Sequence, residues 1–135
     1  MATTLEGHCL CGDVKYTVEG EPQKFFHCFC SICRGVTGSA HCSNLFVAGT
    51  LKFSSGEEQT KKYVHTESWA TTFCTKCGGQ VPMVLKSGAV KIPAGSLESD
   101  VPIPVTGRIF MGSKTKWACC GDKEVVLPEH DEFPQ

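Results

Sequence analysis

The sequence predicts a mainly β fold, a small β-sheet domain with little helix, and three observations carry this reading. Seven prolines and fourteen glycines are spread along the chain. They punctuate it roughly every eight to twelve residues, the rhythm of an all-β domain. No stretch sustains a 3.6-residue apolar period, which argues against long helices. Ten of the 135 residues are cysteines, and most fall in groups.

The clearest strand is 13–19, where Val14, Tyr16 and Val18 alternate with Lys15 and Thr17, so that one face is apolar. Further strands are expected at 23–26, 41–47, 51–54, 61–65, 69–73, 80–85, 89–93 and 107–111, with a last short one at 124–127. One helical turn, 31–36, follows Cys30 and precedes Gly38. A chain of this length suits one domain and is short for two. The expectation is a single domain over 1–127 and an exposed tail over 128–135.

Hydrophobic residues make up 41% of the chain, the ten cysteines included. Without them about a third is apolar, a thin core for this length. Something besides burial is therefore expected to hold the fold, and the thin core leaves room for a homodimer. Thirteen basic against fourteen acidic residues give a formal charge of −1. That balance supplies no broad positive field for nucleic acid or an anionic membrane. The longest apolar runs, such as 45–48, are far short of the roughly twenty residues of a membrane span. The first residues lack the basic and apolar regions of a secretory signal. The expectation is a cytoplasmic protein without nucleic-acid or membrane partners.

Cysteine spacing is the most informative feature. Ten thiols in a reducing compartment point to metal rather than disulfides, and the pairs Cys9–Cys11 and Cys28–Cys30 are spaced to converge on one ion. Zinc is the natural occupant of such sites, because it has no redox chemistry and accepts tetrahedral thiolate ligation. Cys74-Thr75-Lys76-Cys77-Gly78-Gly79 has the form of a knuckle, one tight turn aiming two sulfurs at one ion. The economical partners are Cys9 and Cys11, giving a closed structural site across a loop of more than sixty residues. Cys28, Cys30 and Cys33 supply three further thiols for a second zinc with an exchangeable position. Alternatives remain at this level. His27, His41 or Cys42 would close the second site, and Cys28 with Cys30 would equally pair with Cys74 and Cys77. Cys42 by itself reads as a small buried hydrophobe, and Cys119–Cys120 as free thiols.

The motifs His8-Cys9-Leu10-Cys11-Gly12-Asp13-Val14-Lys15-Tyr16, Cys28-x-Cys30-x-x-Cys33-Arg34-x-x-x-Gly38, Phe73-Cys74-x-x-Cys77-Gly78 and Ala94-Gly95-Ser96-Leu97 follow in that order. This resembles the glutathione-dependent formaldehyde-activating enzyme family, which also contains centromere protein V. The resemblance implies a β-rich zinc fold shared with Rab-exchange-factor-like and methionine-sulfoxide-reductase-B-like domains. It implies two zinc ions per chain, a structural one on Cys9, Cys11, Cys74 and Cys77 and a catalytic one on Cys28, Cys30 and Cys33. The polar shell departs from the family pattern. Phe29 stands where His is frequent, Gly35 where Lys or Arg is usual, and Thr71 where Arg is frequent. Glu98 stands for Asp, and Arg108 occupies a common His position.

The implied activity is that of a carbon–sulfur lyase. A small thiol such as glutathione would enter the open position, and a small aldehyde such as formaldehyde would accept its sulfur to give S-hydroxymethylglutathione. Metal favours the thiolate form of such a thiol at neutral pH. Arg34 is the candidate to offset the site's negative charge or to hold a substrate carboxylate. The competing reading is a non-catalytic, zinc-stabilised protein-interaction module.

Overall fold

A computed structural model describes residues 2–118. The expected strand at 124–127, the tail, Cys119 and Cys120 lie outside the described residues. Among the described residues the fold is mainly β, with two sheets, one short α-helix and three single turns of 3-10 helix. The strands are β1 (Thr3–His8), β2 (Lys15–Cys28), β3 (Cys42–Ser55), β4 (Thr60–Thr66), β5 (Trp69–Cys74), β6 (Gln80–Val81), β7 (Met83–Val84), β8 (Val90–Pro93) and β9 (Gly107–Ile109). The helix α1 (Ser31–Thr37) joins β2 to β3. The larger sheet runs β1-β2-β3-β8-β7, with β9 parallel to β2; the smaller runs β4-β5-β6.

The alternation at Val14, Tyr16 and Val18 places all three inside. Tyr16 and Val18 meet Leu5, Leu45, Val47, Val90 and Ile92, from β1, β3 and β8, in the main apolar core, while Val14 packs with Cys9, Cys74 and Val81 in a second cluster. β2 and β3 are each fourteen residues long, longer than the separate strands expected at 13–19 with 23–26 and at 41–47 with 51–54. Gly20-Glu21-Pro22 looks like a break, yet the ladder runs through it with an irregularity between Pro22 and Lys24. Gly20 pairs with Gly49, and a Cβ on either would collide with the opposite backbone. The glycines let two backbones touch here and do not end a strand.

β1 was not among the expected strands, because Leu5 is the only large apolar residue between Thr3 and His8. Its buried face is completed by Gly7, where a Cβ would overlap the Tyr16 hydroxyl and the Ser96 carbonyl. Ser96 Oγ donates to the Pro93 carbonyl (2.7 Å), so the Tyr16 hydroxyl donates to Ser96 Oγ (2.6 Å). The single strand expected at 80–85 is split by buried Pro82. Without an N–H to continue the ladder, the chain changes sheets there: β6 pairs with β5, and β7 pairs with β8. No helix among the described residues is long and apolar enough to cross a membrane.

Candidate metal centres

Cysteine sulfurs gather in two places. Cys9, Cys11, Cys74 and Cys77 bring their Sγ atoms within 4.8 Å of one another. Cys9 and Cys11 lie in the turn from β1 to β2. Cys74 ends β5, and Cys77 lies in the turn to β6. This cluster therefore pins a turn of the larger sheet to a turn of the smaller. Each turn is built to present its sulfurs. The Cys9 N–H donates to the Val14 carbonyl (3.0 Å) and the Gly12 N–H to the Cys9 carbonyl (3.1 Å). Across the knuckle, the Gly78 N–H donates to the Cys74 carbonyl (2.8 Å), and Gly78 takes φ 76°, where a side chain would be strained.

Two sulfur separations, 3.5 Å for Cys9–Cys11 and 3.9 Å for Cys11–Cys74, bracket the edge of about 3.8 Å that four sulfurs about 2.3 Å from zinc would have. Donors also point at the sulfurs. The Val14 N–H reaches Cys9 and the Gly79 N–H reaches Cys77, both at 3.4 Å, while the Gln59 amide reaches Cys74 at 3.2 Å. The Gln59 hydrogen bond is the main reason that the Cys74 thiol is drawn down to about 6. Outer hydrogen bonds of this kind orient ligands and favour their charged form. The residues fit a tetrahedral metal ion.

The second cluster, Cys28, Cys30 and Cys33, also lies within 4.8 Å, and its ligands come from one local segment. Cys28 ends β2, Cys30 caps α1, and Cys33 sits in the helix's first turn, its N–H donating to Cys30 Sγ (3.4 Å). Gly38, at φ 65°, closes the helix, its N–H bonding the Arg34 carbonyl. Burial pushes the Cys28 thiol up to about 12. Contact with Cys42 and then burial push Cys33 up as well. Cys30 is drawn the other way, burial being outweighed by hydrogen bonds led by the Cys33 N–H. Two of the three thiols thus resist ionising without a cation, and a metal's charge would reverse that balance.

Of the three residues that would close this site, none joins the three sulfurs. His27 alternates with Cys28 along β2 and faces the other side of the sheet. There its Nδ1 meets Ser43 Oγ (2.9 Å) and its ring lies 4.5 Å from that of His41. Cys42 is Cys28's cross-strand partner and is buried, but it carries more chemistry than a small hydrophobe. The Asn44 amide donates to its sulfur (3.2 Å), and contact with Cys33 draws its thiol down. The permuted pairing is likewise not the one formed.

Arg34 Nη1 donates to the carbonyls of Phe29 (3.0 Å) and Ser113 (2.6 Å). It thereby ties the cysteine loop to the segment after β9 and does not line the cavity beside the cluster.

That cavity, of about 450 Å³, lies between the two sheets and exposes Cys28, Cys30 and Cys33. Its other walls include Phe46 and Lys91 from the larger sheet, and Trp69 and Ala70 from the smaller. Sequence reasoning missed Lys91. Its Nζ bonds the Ala70 carbonyl (3.0 Å) and lies 5.1 Å from the Trp69 ring centroid. Burial lowers its pKa, while Cys42 and Cys33 act in the opposite sense. The available signal was alternation: Val90 and Ile92 enter the core, so Lys91 faces the opposite side.

Fold and site together define a mainly β protein with two cysteine clusters able to hold metal, one closed by four sulfurs and one opening on a cavity. Residues 4–113 match the model of the glutathione-dependent formaldehyde-activating enzyme family. The chain belongs to that family. A Halomonas elongata protein named "Putative glutathione-dependent formaldehyde-activating enzyme" is 29% identical over 123 residues, covering 84% of this chain and 78% of that protein. A crystal structure of a Rhodobacter sphaeroides protein shares the fold with a TM-score of 0.56 at 22% identity, covering 76% of this chain and 98% of the other.

Proposed function

We propose that the protein is a zinc-dependent enzyme of the carbon–sulfur lyase type. It would make or break the adduct of a small thiol and a small aldehyde, of which glutathione and formaldehyde are the pair named by its family. The observation that carries this reading is the asymmetry of the second cluster: three sulfurs converge, and the side left open faces a cavity instead of a fourth ligand. In this reading Cys9, Cys11, Cys74 and Cys77 hold a structural zinc, and Cys28, Cys30 and Cys33 hold the zinc at the reacting site. Zinc supplies the positive charge that keeps an incoming thiol as its thiolate at neutral pH.

The chain's own residues do the rest. Cys30 and Cys33 are fixed by the helix cap, and Arg34 holds that loop through two backbone carbonyls. The apolar walls exclude water beside the thiols, which strengthens every charge interaction within. Lys91 sets a positive charge against a group of thiolates that otherwise carries excess negative charge. The thiolate sulfur then attacks the carbonyl carbon and the oxygen takes a proton from solvent; the reverse path releases thiol and aldehyde. Free thiols of this kind suit the reducing cytoplasm.

The test combines metal content with exchange NMR on glutathione and formaldehyde, corrected for spontaneous adduct formation. Two zinc ions per chain and adduct exchange above the spontaneous rate are expected. Two ions without any acceleration would favour the interaction module, and one ion would remove the second centre altogether.

A further inference from the structure

The cavity beside Cys28, Cys30 and Cys33 is far larger and more apolar than formaldehyde requires. Its volume of about 450 Å³ falls in the range that encloses small organic ligands, whereas formaldehyde has two heavy atoms. Phe26, Phe46, Trp69, Leu85, Ile109 and Phe110 contribute large apolar side chains to the wall. No carboxylate lines the cavity among the described residues, and Lys91 is its one cationic side chain. A substrate ammonium group inside would find no carboxylate to pair with, while an apolar body would be well housed. An oxygen gaining negative charge would meet the Lys91 ammonium, which Trp69 and the Ala70 carbonyl hold in place.

Phe110 adds a second observation. Among the described residues it alone, glycines apart, has positive φ (57°), and the residue is 63% exposed although it belongs to the cavity wall. A bulky residue held in that conformation is costly. Phe110 thus stands at the cavity's edge, where it can cover an apolar ligand.

We infer that the carbonyl partner of this centre is an aldehyde with an aromatic or branched-alkyl body, seated between the two sheets with its oxygen toward Lys91. This rests on the thiol–aldehyde reading above and narrows it. The thiolate gives an electron pair to the carbonyl carbon, forming the carbon–sulfur bond. The C=O π pair moves to oxygen, which takes up, through solvent, the proton the thiol gave up. The reverse breaks the same bond, and no oxidant or reductant is consumed. Glutathione, polar at both ends, presents its sulfur while its body stays outside the apolar walls.

The experiment uses the full chain with its native metal. Adduct exchange with glutathione is measured for formaldehyde, 3-methylbutanal and benzaldehyde, each as enhancement over its own spontaneous rate. The two apolar aldehydes should show at least about tenfold greater enhancement than formaldehyde, and Phe46→Ser should shrink that preference. Independently of turnover, benzyl alcohol should cause saturable NMR shifts at Phe46, Trp69 and Ile109 that methanol does not. Enhancement with formaldehyde alone would overturn the inference and leave the proposed function standing. No enhancement with any aldehyde would overturn both, and absence of saturable benzyl alcohol shifts would overturn the inference by itself.

Discussion

Cys11 and Cys74 are 63 residues apart in the chain, whereas Cys28, Cys30 and Cys33 fall within six consecutive positions. The first cluster joins two sheets, and the ion it is built for would close a long loop that entropy otherwise keeps open. The second is assembled from a strand end and the first turn of a helix, so its ion would restrain little chain. The contrast separates two uses of one ligand type. In the proposed reading, a distant quartet with donors at three of its sulfurs contributes mainly to stability, while a local trio with an open side is free to serve chemistry.

The sharpest way to break this contrast is to remove one ligand from each cluster. Cys77→Ser should cost more than about 5 kcal/mol, since structural zinc energies rival the whole stability of a small domain. Loss of soluble, folded protein by circular dichroism would show it, and an unchanged melting temperature would mean that the quartet is not structural. Cys33→Ser should lower the metal count from two to one in elemental analysis. Its melting temperature should stay within a few degrees, because only the local loop is released.

A subtler test addresses the donors around the quartet. Gln59→Ala removes the amide that reaches Cys74, and metal affinity in chelator competition should drop about 10- to 100-fold. The second cluster's affinity should not follow. The smallest effect at neutral pH is expected at a residue of the main core that is no metal ligand. Burial raises the Tyr16 hydroxyl to about 12. A folded value above the unfolded value of about 10 means that this stability is complete below pH 10 and is lost as pH rises toward 12. The loss amounts to at most about 3 kcal/mol. Tyr16→Phe should flatten alkaline denaturation across that window, at a cost of about 1 kcal/mol at neutral pH.

Much of the site was legible because metal ligation imposes spacing. Cys74-x-x-Cys77 followed by glycine needs a tight turn wherever it occurs, and the turn is present. The core strand at Val14, Tyr16 and Val18 was legible from period-two burial. β1 was hidden because its buried face holds a glycine, which leaves no apolar alternation to read. Pro82 was read as an interior position of one strand, although its missing N–H makes it the hand-over point between sheets. Lys91 was hidden for a different reason. In a sheet covered on both faces, alternation identifies which face a residue takes but not what lies across from it. Only the placement of Trp69 and Ala70 from the other sheet turns that lysine into part of the cavity.

The sulfur quartet has a mechanical consequence for the cavity. The smaller sheet supplies its roof through Trp69 and Ala70, and chain links tether that sheet at residues 56–59 and at Pro82. Bound metal at the quartet would add a third anchor, so the gap between roof and floor answers to an ion that never meets substrate. By reciprocity, a guest that wedges into the gap should tighten or loosen the distant ion's grip by the same factor.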